Sequence, residues 1–218
     1  MVAEPAHRPR PVRFSLGWVR WFGKVAGMIS AAPDSPDSKA RGDAWFTAPK
    51  LLWLLAGFVV MAFPTVIFGT SSLFYRDMGL FGYPLAVFHR EAFWQGELPL
   101  WNPLNNLGLP FFAQWNTLVL YPGSLIYLLL PLPWSMNLFM FAHLFLAAAG
   151  MYALAKRWTN HQLAASVAGF AFAWNGLTLH SLMWPNNLAA LGWMPWVVLA
   201  LERAGREGGR RVFLGALV

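Results

Sequence analysis

The chain has 218 residues, of which 57% are hydrophobic, 17% are aromatic and 11% are charged, against roughly 25% charged residues in typical globular proteins. A soluble chain of this length has too little interior to bury so much apolar surface, and the lack of cysteine excludes a disulfide scaffold. The formal net charge of +7 does not indicate a nucleic-acid partner, because the basic residues flank apolar runs. The composition predicts an all-α multi-pass membrane protein.

Residues 1–50 are predicted to form a cytoplasmic extension. Apolar residues recur there at helical spacing, with basic residues on one flank: Phe14, Trp18, Trp21, Phe22, Val25, Met28 and Ile29, with Arg13, Arg20 and Lys24. This pattern is typical of a basic amphipathic helix on an anionic leaflet, although an unstructured extension or a misassigned start codon fits equally well. Residues 31–43 have the composition of a linker. A cleaved signal peptide is not expected, since the first long apolar run begins at residue 51.

Four apolar segments are predicted to cross the membrane as helices. They cover residues 51–69, 135–155, 161–179 and 187–201. Pro64 lies inside the first segment, where membrane helices tolerate proline. Tryptophans at or near the predicted ends are expected to act as interfacial anchors: Trp134, Trp158, Trp184, Trp193 and Trp196.

Residues 118–130 are ambiguous, because this apolar segment is short and contains a Pro-Gly pair. If the segment does not cross, residues 1–50, Lys156–Arg157 and Arg203–Arg211 all lie on the cytoplasmic side, in agreement with the positive-inside rule. If it crosses, Lys156–Arg157 moves outside. The charges therefore favour a re-entrant or interfacial hairpin within a long external loop, residues 70–134.

The last residues, 210–218, read RRVFLGALV, which is typical of a cytoplasmic flank followed by the start of a further span. About seven apolar residues cannot cross a bilayer. We therefore expect the chain to be a fragment or a truncated reading frame, with translatable sequence after Val218.

The predicted external loop holds the most varied polar chemistry. Pro84 and Gly96 bound a predicted surface helix, whose apolar face consists of Phe81, Leu85, Phe88 and Ala92. The next segment, LPLWNPLNNLGLP, is too rich in proline for a helix. It is expected to be a loop packed by its own Trp and Leu side chains or a disordered loop, and its aromatic density favours order.

Asp77 is the acidic residue nearest the predicted outer membrane surface. A partly desolvated carboxylate there could serve as a general base or a metal ligand, although a surface pair with Arg76 or a helix cap is the commoner explanation. Asn186 is expected either to line a polar site facing Asp77 or to cap the fourth helix. Glu91 is expected to be solvated or paired with Arg90.

His143 lies inside the second predicted span, and an ionisable residue within a membrane is a functional candidate. It could ligate a metal, a haem or a pigment, but a hydrogen bond to a neighbouring helix is more common. The sequence contains no zincin, CxxC, P-loop, GxSxG or GxGxxG motif. A transporter is the least favoured class, because the predicted spans lack charged residues.

The order of these segments resembles the N-terminal part of the YfhO-type bacterial membrane proteins, over about residues 51–218. The external block RDMGLFGYPLAVFHREAFWQGELPLWNPLNNLGLPFFAQ is followed by LYPGSLIYLLLP, HLFLAAAGMYALAKRW, LAASVAGFAFAWNG and LGWMPWVVLALER. The densest match covers Asp77, Tyr83, Pro84, Gly96, 98–103, Gly108 and Pro110. These proteins look like glycosyltransferases of the GT-C class, so the resemblance implies a GT-C-like helical bundle.

The resemblance implies sugar transfer from a polyprenyl-phosphate donor to a cell-envelope acceptor, outside the bacterial cytoplasmic membrane. Asp77 matches the general base of that class, which can also help to bind a divalent metal ion. Arg76 or Arg90 would stabilise the departing lipid phosphate, and Asn102 and Asn186 are the further expected substrate-binding residues. Family members are much longer, so the lipid-phosphate site is expected to need additional helices. The alternative is a non-catalytic membrane subunit or scaffold that packs against partner proteins or pigments.

Overall fold

The computed structural model describes residues 43–105 and 107–207. The predicted N-terminal amphipathic helix, nearly all of the predicted linker and the predicted span start at 210–218 lie outside these residues. The described part is mostly helical, with one two-stranded sheet.

The helices and strands follow one another in a simple order. The helices are α1 (Ala48–Ala62), α2 (Pro64–Ile67), α3 (Tyr83–Trp94), α4 (Ile126–Leu129), α5 (Leu132–Thr159), α6 (Gln162–Ala173), α7 (Gly176–His180) and α8 (Pro185–Glu207). Strands β1 (Trp101–Asn102) and β2 (Leu109–Pro110) pair antiparallel between α3 and α4. Shorter helical turns occupy Asp43–Trp45, Pro122–Leu125 and Ser181–Met183, and a π-helical turn occupies Met78–Gly82.

Helix α5 lies at the centre of the bundle, and α1 packs antiparallel to it. The Tyr152 hydroxyl near the end of α5 donates a hydrogen bond of 3.0 Å to the Phe46 carbonyl, just before α1 begins. At the other end of α1, the Phe63 ring contacts Phe141, with ring centroids 5.8 Å apart. Asn160 then adopts a left-handed conformation (φ 50°) and ends α5.

The two later helices continue this alternation of direction. Ala165, near the start of α6, packs against Tyr152 near the end of α5, so α6 is antiparallel to α5. Helix α8 runs parallel to α5, because the Trp196 indole donates to the Leu146 carbonyl at 3.0 Å and Arg157 pairs with Glu202 further along. Thus α1 and α6 run one way, and α5 and α8 run the other.

The alternation gathers the basic residues of the bundle at one end, which we call the basic end. Lys50 lies at the start of α1, Lys156 and Arg157 at the end of α5, and Arg203 and Arg206 near the end of α8. Helix α3, the β-hairpin and the π-helical turn lie at the opposite end, because the buried Met78 packs against the first residues of α5 and α8.

Two glycines let the backbones of α6 and α8 approach α5 closely, and a third makes room for a tryptophan side chain. A Cβ atom on Gly169 of α6 would lie 2.7 Å from the Ala148 carbonyl oxygen, and one on Gly192 of α8 would lie 3.1 Å from the His143 carbonyl oxygen. Gly150 of α5 itself lies beneath the Trp196 indole. Larger residues at these positions would separate the helices, since close backbone approach requires small side chains.

Two of the four predicted spans lie inside single helices, and the other two are interrupted. The span 135–155 lies inside α5, and 187–201 lies inside the longer α8. The span 51–69 is not one helix, because Phe63 leaves the helical conformation (φ −127°, ψ 49°) before Pro64, as the residue before a proline tends to do.

The predicted span 161–179 is also interrupted. Its first part forms α6, which ends at Ala173, and its second part forms α7. The Asn175 side chain accepts a hydrogen bond of 2.9 Å from the Thr178 N–H, so it caps α7 and starts a new helix.

Residues 118–130 form no continuous helix. They contain the turn Pro122–Leu125 and the single turn of α4, and both are too short to cross a bilayer. Tyr121 and Tyr127 of this segment pack against Phe139 in the first half of α5.

Among the described residues, α5 is the one helix that is long and apolar enough to cross a bilayer by itself. It has 28 residues, and its most apolar part is mainly buried inside the bundle, as in the core helix of a soluble protein. Helix α1 is also apolar but has 15 residues.

The glycine contacts predict opposite effects for two matched substitutions. Gly169→Ala should lower the free energy of unfolding by about 1–3 kcal/mol, because its methyl group would overlap a backbone carbonyl that cannot move cheaply. Gly57→Ala, in the interior of α1 with no atom within 4 Å of the new methyl, should raise it by about 0.5–1 kcal/mol. Thermal unfolding of the purified variants measures both, and equal effects would contradict the close contact.

Candidate functional site

A cleft of 430 Å³ opens between α3 and the β-hairpin, at the end of the bundle opposite the basic end. Its polar side chains are Tyr83 and Glu91 from α3 and Asn102 and Asn105 from the hairpin. Apolar residues such as Phe88 line the rest of it.

Contacts between apolar side chains hold the hairpin against α3. Phe111, directly after β2, is fully buried and packs against Leu85 and Val119. Its ring meets Phe88 edge-on, with centroids 4.9 Å apart. The face of α3 that the sequence predicts to be apolar therefore serves to fix the hairpin.

The hairpin orients Asn102 through its own local hydrogen bond. The buried Asn102 side chain accepts a hydrogen bond of 2.9 Å from the Leu104 N–H through Oδ1. Gly108 (φ 107°) lies beneath the Trp101 indole, where a Cβ would come within 2.6 Å of the ring. The Nδ2 group of Asn102 makes no hydrogen bond among the described residues, so it can donate to a ligand, and Oδ1 keeps one further lone pair.

Asp77 lies next to the cleft in sequence but is not part of its lining. It precedes the π-helical turn that leads to Leu80 and Tyr83, which line the cleft. Two residues before it, Tyr75 lines a second recess, of 240 Å³, together with His180. Asp77 is half-buried, and its side chain forms no cap hydrogen bond.

Asp77 and Arg76 do not form an ion pair among the described residues. Arg76 is exposed and adopts a left-handed backbone conformation (φ 47°), which is uncommon for a residue with a side chain. Its carbonyl accepts hydrogen bonds of 3.1 Å from the N–H groups of Gly79 and Leu80. The two simple explanations for Asp77, a surface pair with Arg76 or a helix cap, are therefore not observed.

The other two predicted site residues, Arg90 and Asn186, lie apart from each other, and neither lines the cleft. The Arg90 guanidinium lies over the Trp94 ring, 3.9 Å from its centroid, and does not pair with Glu91. Asn186 is buried at the start of α8, where its Nδ2 donates to Asn187 at 3.0 Å. The π-helical turn after Asp77 does reach α8, since Gly82 lies against Pro185.

Of the predicted site residues, only Asn102 lines the cleft, and the sequence analysis did not predict Tyr83, Glu91 or Asn105 as site residues. Glu91 is exposed and belongs to no ion pair among the described residues. A carboxylate, amide groups and a tyrosine hydroxyl beside apolar walls can bind a polyhydroxylated ligand by hydrogen bonds. The described residues contain no group of three His, Cys, Asp or Glu that could hold a metal ion.

His143 is held in a hydrogen-bond chain that occupies both of its ring nitrogens. Nδ1 lies 2.7 Å from the Phe139 carbonyl, which only accepts, so Nδ1 carries the proton. Nε2 then accepts from the Tyr121 hydroxyl at 2.5 Å, and this hydroxyl accepts from the Trp193 indole at 2.7 Å. His143 thus joins residues 118–130 to α5 and α8 and keeps no lone pair for a metal, haem or pigment.

His89 is a buried titratable residue that shows no pattern in the sequence. It is fully buried on α3, and neither ring nitrogen has a hydrogen-bond partner. Its ring meets Phe93 edge-on at 4.8 Å and faces Tyr127 at 6.2 Å. Burial lowers the pKa of His89 below its ordinary value.

No protein-family model, curated protein or solved structure matches this chain.

The buried His89 predicts a pH dependence of stability. The unfolded chain binds a proton to this histidine near its ordinary pKa of about 6.5, whereas the folded state resists protonation. The stability that the neutral ring contributes is therefore present above about pH 6.5 and is lost as pH falls toward the lower pKa of the folded state, by up to about 1.4 kcal/mol per pH unit.

His89→Leu should remove this component and raise the stability at pH 5 relative to pH 8. Unfolding followed at both pH values measures the change. The control is His180→Gln, because His180 is exposed at the end of α7. A His89→Leu variant with the pH dependence of the original protein would contradict the assignment.

Proposed function

We propose that this chain is a multi-pass protein of the bacterial cytoplasmic membrane. The carrying observation is that the four main helices alternate in direction and place their basic residues at one end, as the positive-inside rule requires. With about 1.5 Å per residue, α8 has the length of the hydrocarbon core and α1 with α2 nearly so, although α5 alone of the described helices is both long and apolar enough to cross by itself. Helix α6, with 12 residues, is shorter than the core.

The outer surface of the bundle supports the same proposal. Large apolar side chains that point outward from α1, α6 and α8 are exposed: Trp53, Leu54, Met61, Leu163, Val167, Met194, Val198 and Leu201. Soluble monomers seldom expose apolar surface so continuously. In a bilayer the same side chains face lipid, and α8 can keep the internal Pro195 because neighbouring helices surround it.

In this orientation the basic end faces the cytoplasm and the cleft faces outward. Residues 118–130 then form a re-entrant hairpin, because both of its ends belong to the outer side and Tyr121 binds it to α5 and α8. Non-helical backbone within a membrane is acceptable where protein buries it.

We further propose that the protein is glycosyltransferase-like, with a sugar bound in the cleft. Glu91, Asn102 and Asn105 supply the acceptors and donors for sugar hydroxyls. The donor class, a polyprenyl-phosphate-linked sugar, and a cell-envelope acceptor come from the sequence resemblance alone.

In the proposed reaction, the Asp77 carboxylate takes the proton of the acceptor hydroxyl. The acceptor oxygen bonds to the anomeric carbon, and the bond from that carbon to the phosphate oxygen breaks with its electron pair. Polyprenyl phosphate leaves, and its charge is balanced by a cation. Arg76, exposed beside Asp77, is better placed for this than Arg90, which lies on Trp94. A divalent metal at Asp77 would need the donor phosphate or further residues as ligands.

A non-catalytic subunit is the second candidate, and the exposure of Trp53 on α1 favours it, because its side chain is 78% exposed. Exposed aromatic side chains can pack against a partner membrane protein. A pigment-binding subunit is not supported, because Nε2 of His143, the atom that would bind the pigment, already accepts a hydrogen bond from Tyr121.

Substitution of two carboxylates separates catalysis from sugar binding. Asp77→Asn should lower kcat for sugar transfer from a polyprenyl-phosphate donor by about 10²–10⁴-fold, because the general base is lost. Glu91→Gln should mainly raise KM, because this residue only binds the sugar. Transfer of labelled sugar to envelope acceptors in membrane vesicles provides the measurement.

Glu97→Gln is the matched control, since Glu97 is exposed and does not line the cleft. All three variants must remain in the membrane fraction. Unchanged sugar transfer by Asp77→Asn would contradict the assignment of Asp77 as the general base. A loss of kcat in Glu91→Gln instead would assign the general base to Glu91. Absence of transfer by the original protein, together with a stable larger complex, would favour the subunit.

A further inference from the structure

An apolar groove of 330 Å³ lies between α1 and α6 at the basic end, far from the cleft. Its walls are formed by Leu51 and Leu54 of α1 and by Val167 and Phe170 of α6, and its lining is almost wholly apolar. Because α1 and α6 both run away from the basic end, the groove follows the direction of the helices. Such a channel fits an alkyl chain that lies along the bundle.

The mouth of the groove carries one unpaired cation. The Lys50 ammonium lies over the Trp45 ring, 4.3 Å from its centroid, and forms no ion pair among the described residues. The nearby Ser166 hydroxyl donates its hydrogen to the Phe46 carbonyl, so this hydrogen is not available to an anionic ligand. An anionic group at the mouth would therefore meet Lys50 first.

Asp43, seven residues before Lys50, forms its contacts with α6 and its surroundings and no ion pair with Lys50. Asp43 accepts hydrogen bonds from the N–H groups of Leu163 at 2.8 Å and Gln162 at 3.2 Å, and His161 lies 3.0 Å away. These contacts tie Asp43 to the first turn of α6, where a helix favours negative charge. Lys50 keeps its positive charge for a partner outside the chain.

We propose that this groove binds an anionic phospholipid of the cytoplasmic leaflet, with one acyl chain between α1 and α6 and its phosphate at Lys50. Trp45, 60% exposed at the mouth, lies at the level where aromatic side chains meet the headgroups. The inference rests on the proposed membrane location and not on sugar transfer. The cleft and the donor sugar belong to the opposite leaflet, so this lipid is not the substrate.

Native mass spectrometry of the purified full chain tests the site with phosphatidylglycerol and phosphatidylcholine of identical acyl chains. We expect the original protein to prefer phosphatidylglycerol by about fivefold, which is the contribution of one lysine near an anionic lipid surface. Lys50→Gln should abolish this preference. The control is Lys156→Gln, at the same end but directed over Tyr152 and outside the groove lining.

A second variant tests the channel itself. Ala171→Trp, in the groove lining, should block binding of both lipids, whereas Ala190→Trp on the exposed surface of α8 should not. Circular dichroism shows that each variant is folded. Retained preference in Lys50→Gln, or retained binding in Ala171→Trp, would overturn the proposal.

Carbonate extraction of the cell membranes separates the two possible failures. A protein that stays in the membrane but shows no preference for phosphatidylglycerol refutes the groove alone. A protein released by carbonate refutes the membrane location as well. Asp77→Asn should bind both lipids as the original protein does, because Asp77 lies at the other end of the bundle.

Discussion

The close approach of α6 and α8 to α5 is the constraint on which the rest of the structure depends. If the protein lies in a bilayer, as proposed, there is no hydrophobic force between its helices, and their association relies on tight packing and hydrogen bonds. Gly169 and Gly192 allow backbone contact with α5, and the Trp196 indole closes the remaining space over Gly150. With these contacts in place, the ends of α5, α6 and α8 are fixed, and so are the charges that they carry.

The sequence predicted the long helices better than the interrupted ones. Helix α5 is recognisable because an apolar run ends in Lys156 and Arg157, which favour a helix C-terminus. The helix breaks at Phe63 and at Asn175 depend on single residues, and a hydropathy value averaged over a whole segment does not reveal them. A proline removes an N–H donor in one case, and a side chain offers the backbone an alternative hydrogen bond in the other.

The candidate cleft could be predicted only in part, because it depends on a contact between distant segments. The resemblance implies that Asn102 binds substrate, and Asn102 does line the cleft, whereas Glu91 reaches the cleft only because Phe111 holds the hairpin against α3. No periodic pattern in the sequence predicts the contact between Phe111 and α3. His89 left no such signal either, because its burial depends on the packing of α3 against Tyr127.

At the basic end cations are left without a partner, whereas at the other end Asp77 and Glu91, and also Arg76 and Arg90, form no ion pair among the described residues. At the basic end, Asp43 is bound by the first turn of α6, and Glu202 pairs with Arg157 and Arg206, so cations such as Lys50 remain. A general base needs a carboxylate that no cation neutralises, and a lipid phosphate needs a cation that no carboxylate neutralises. One alternating arrangement of helices therefore supplies each requirement at the end of the bundle where the proposed ligand would lie.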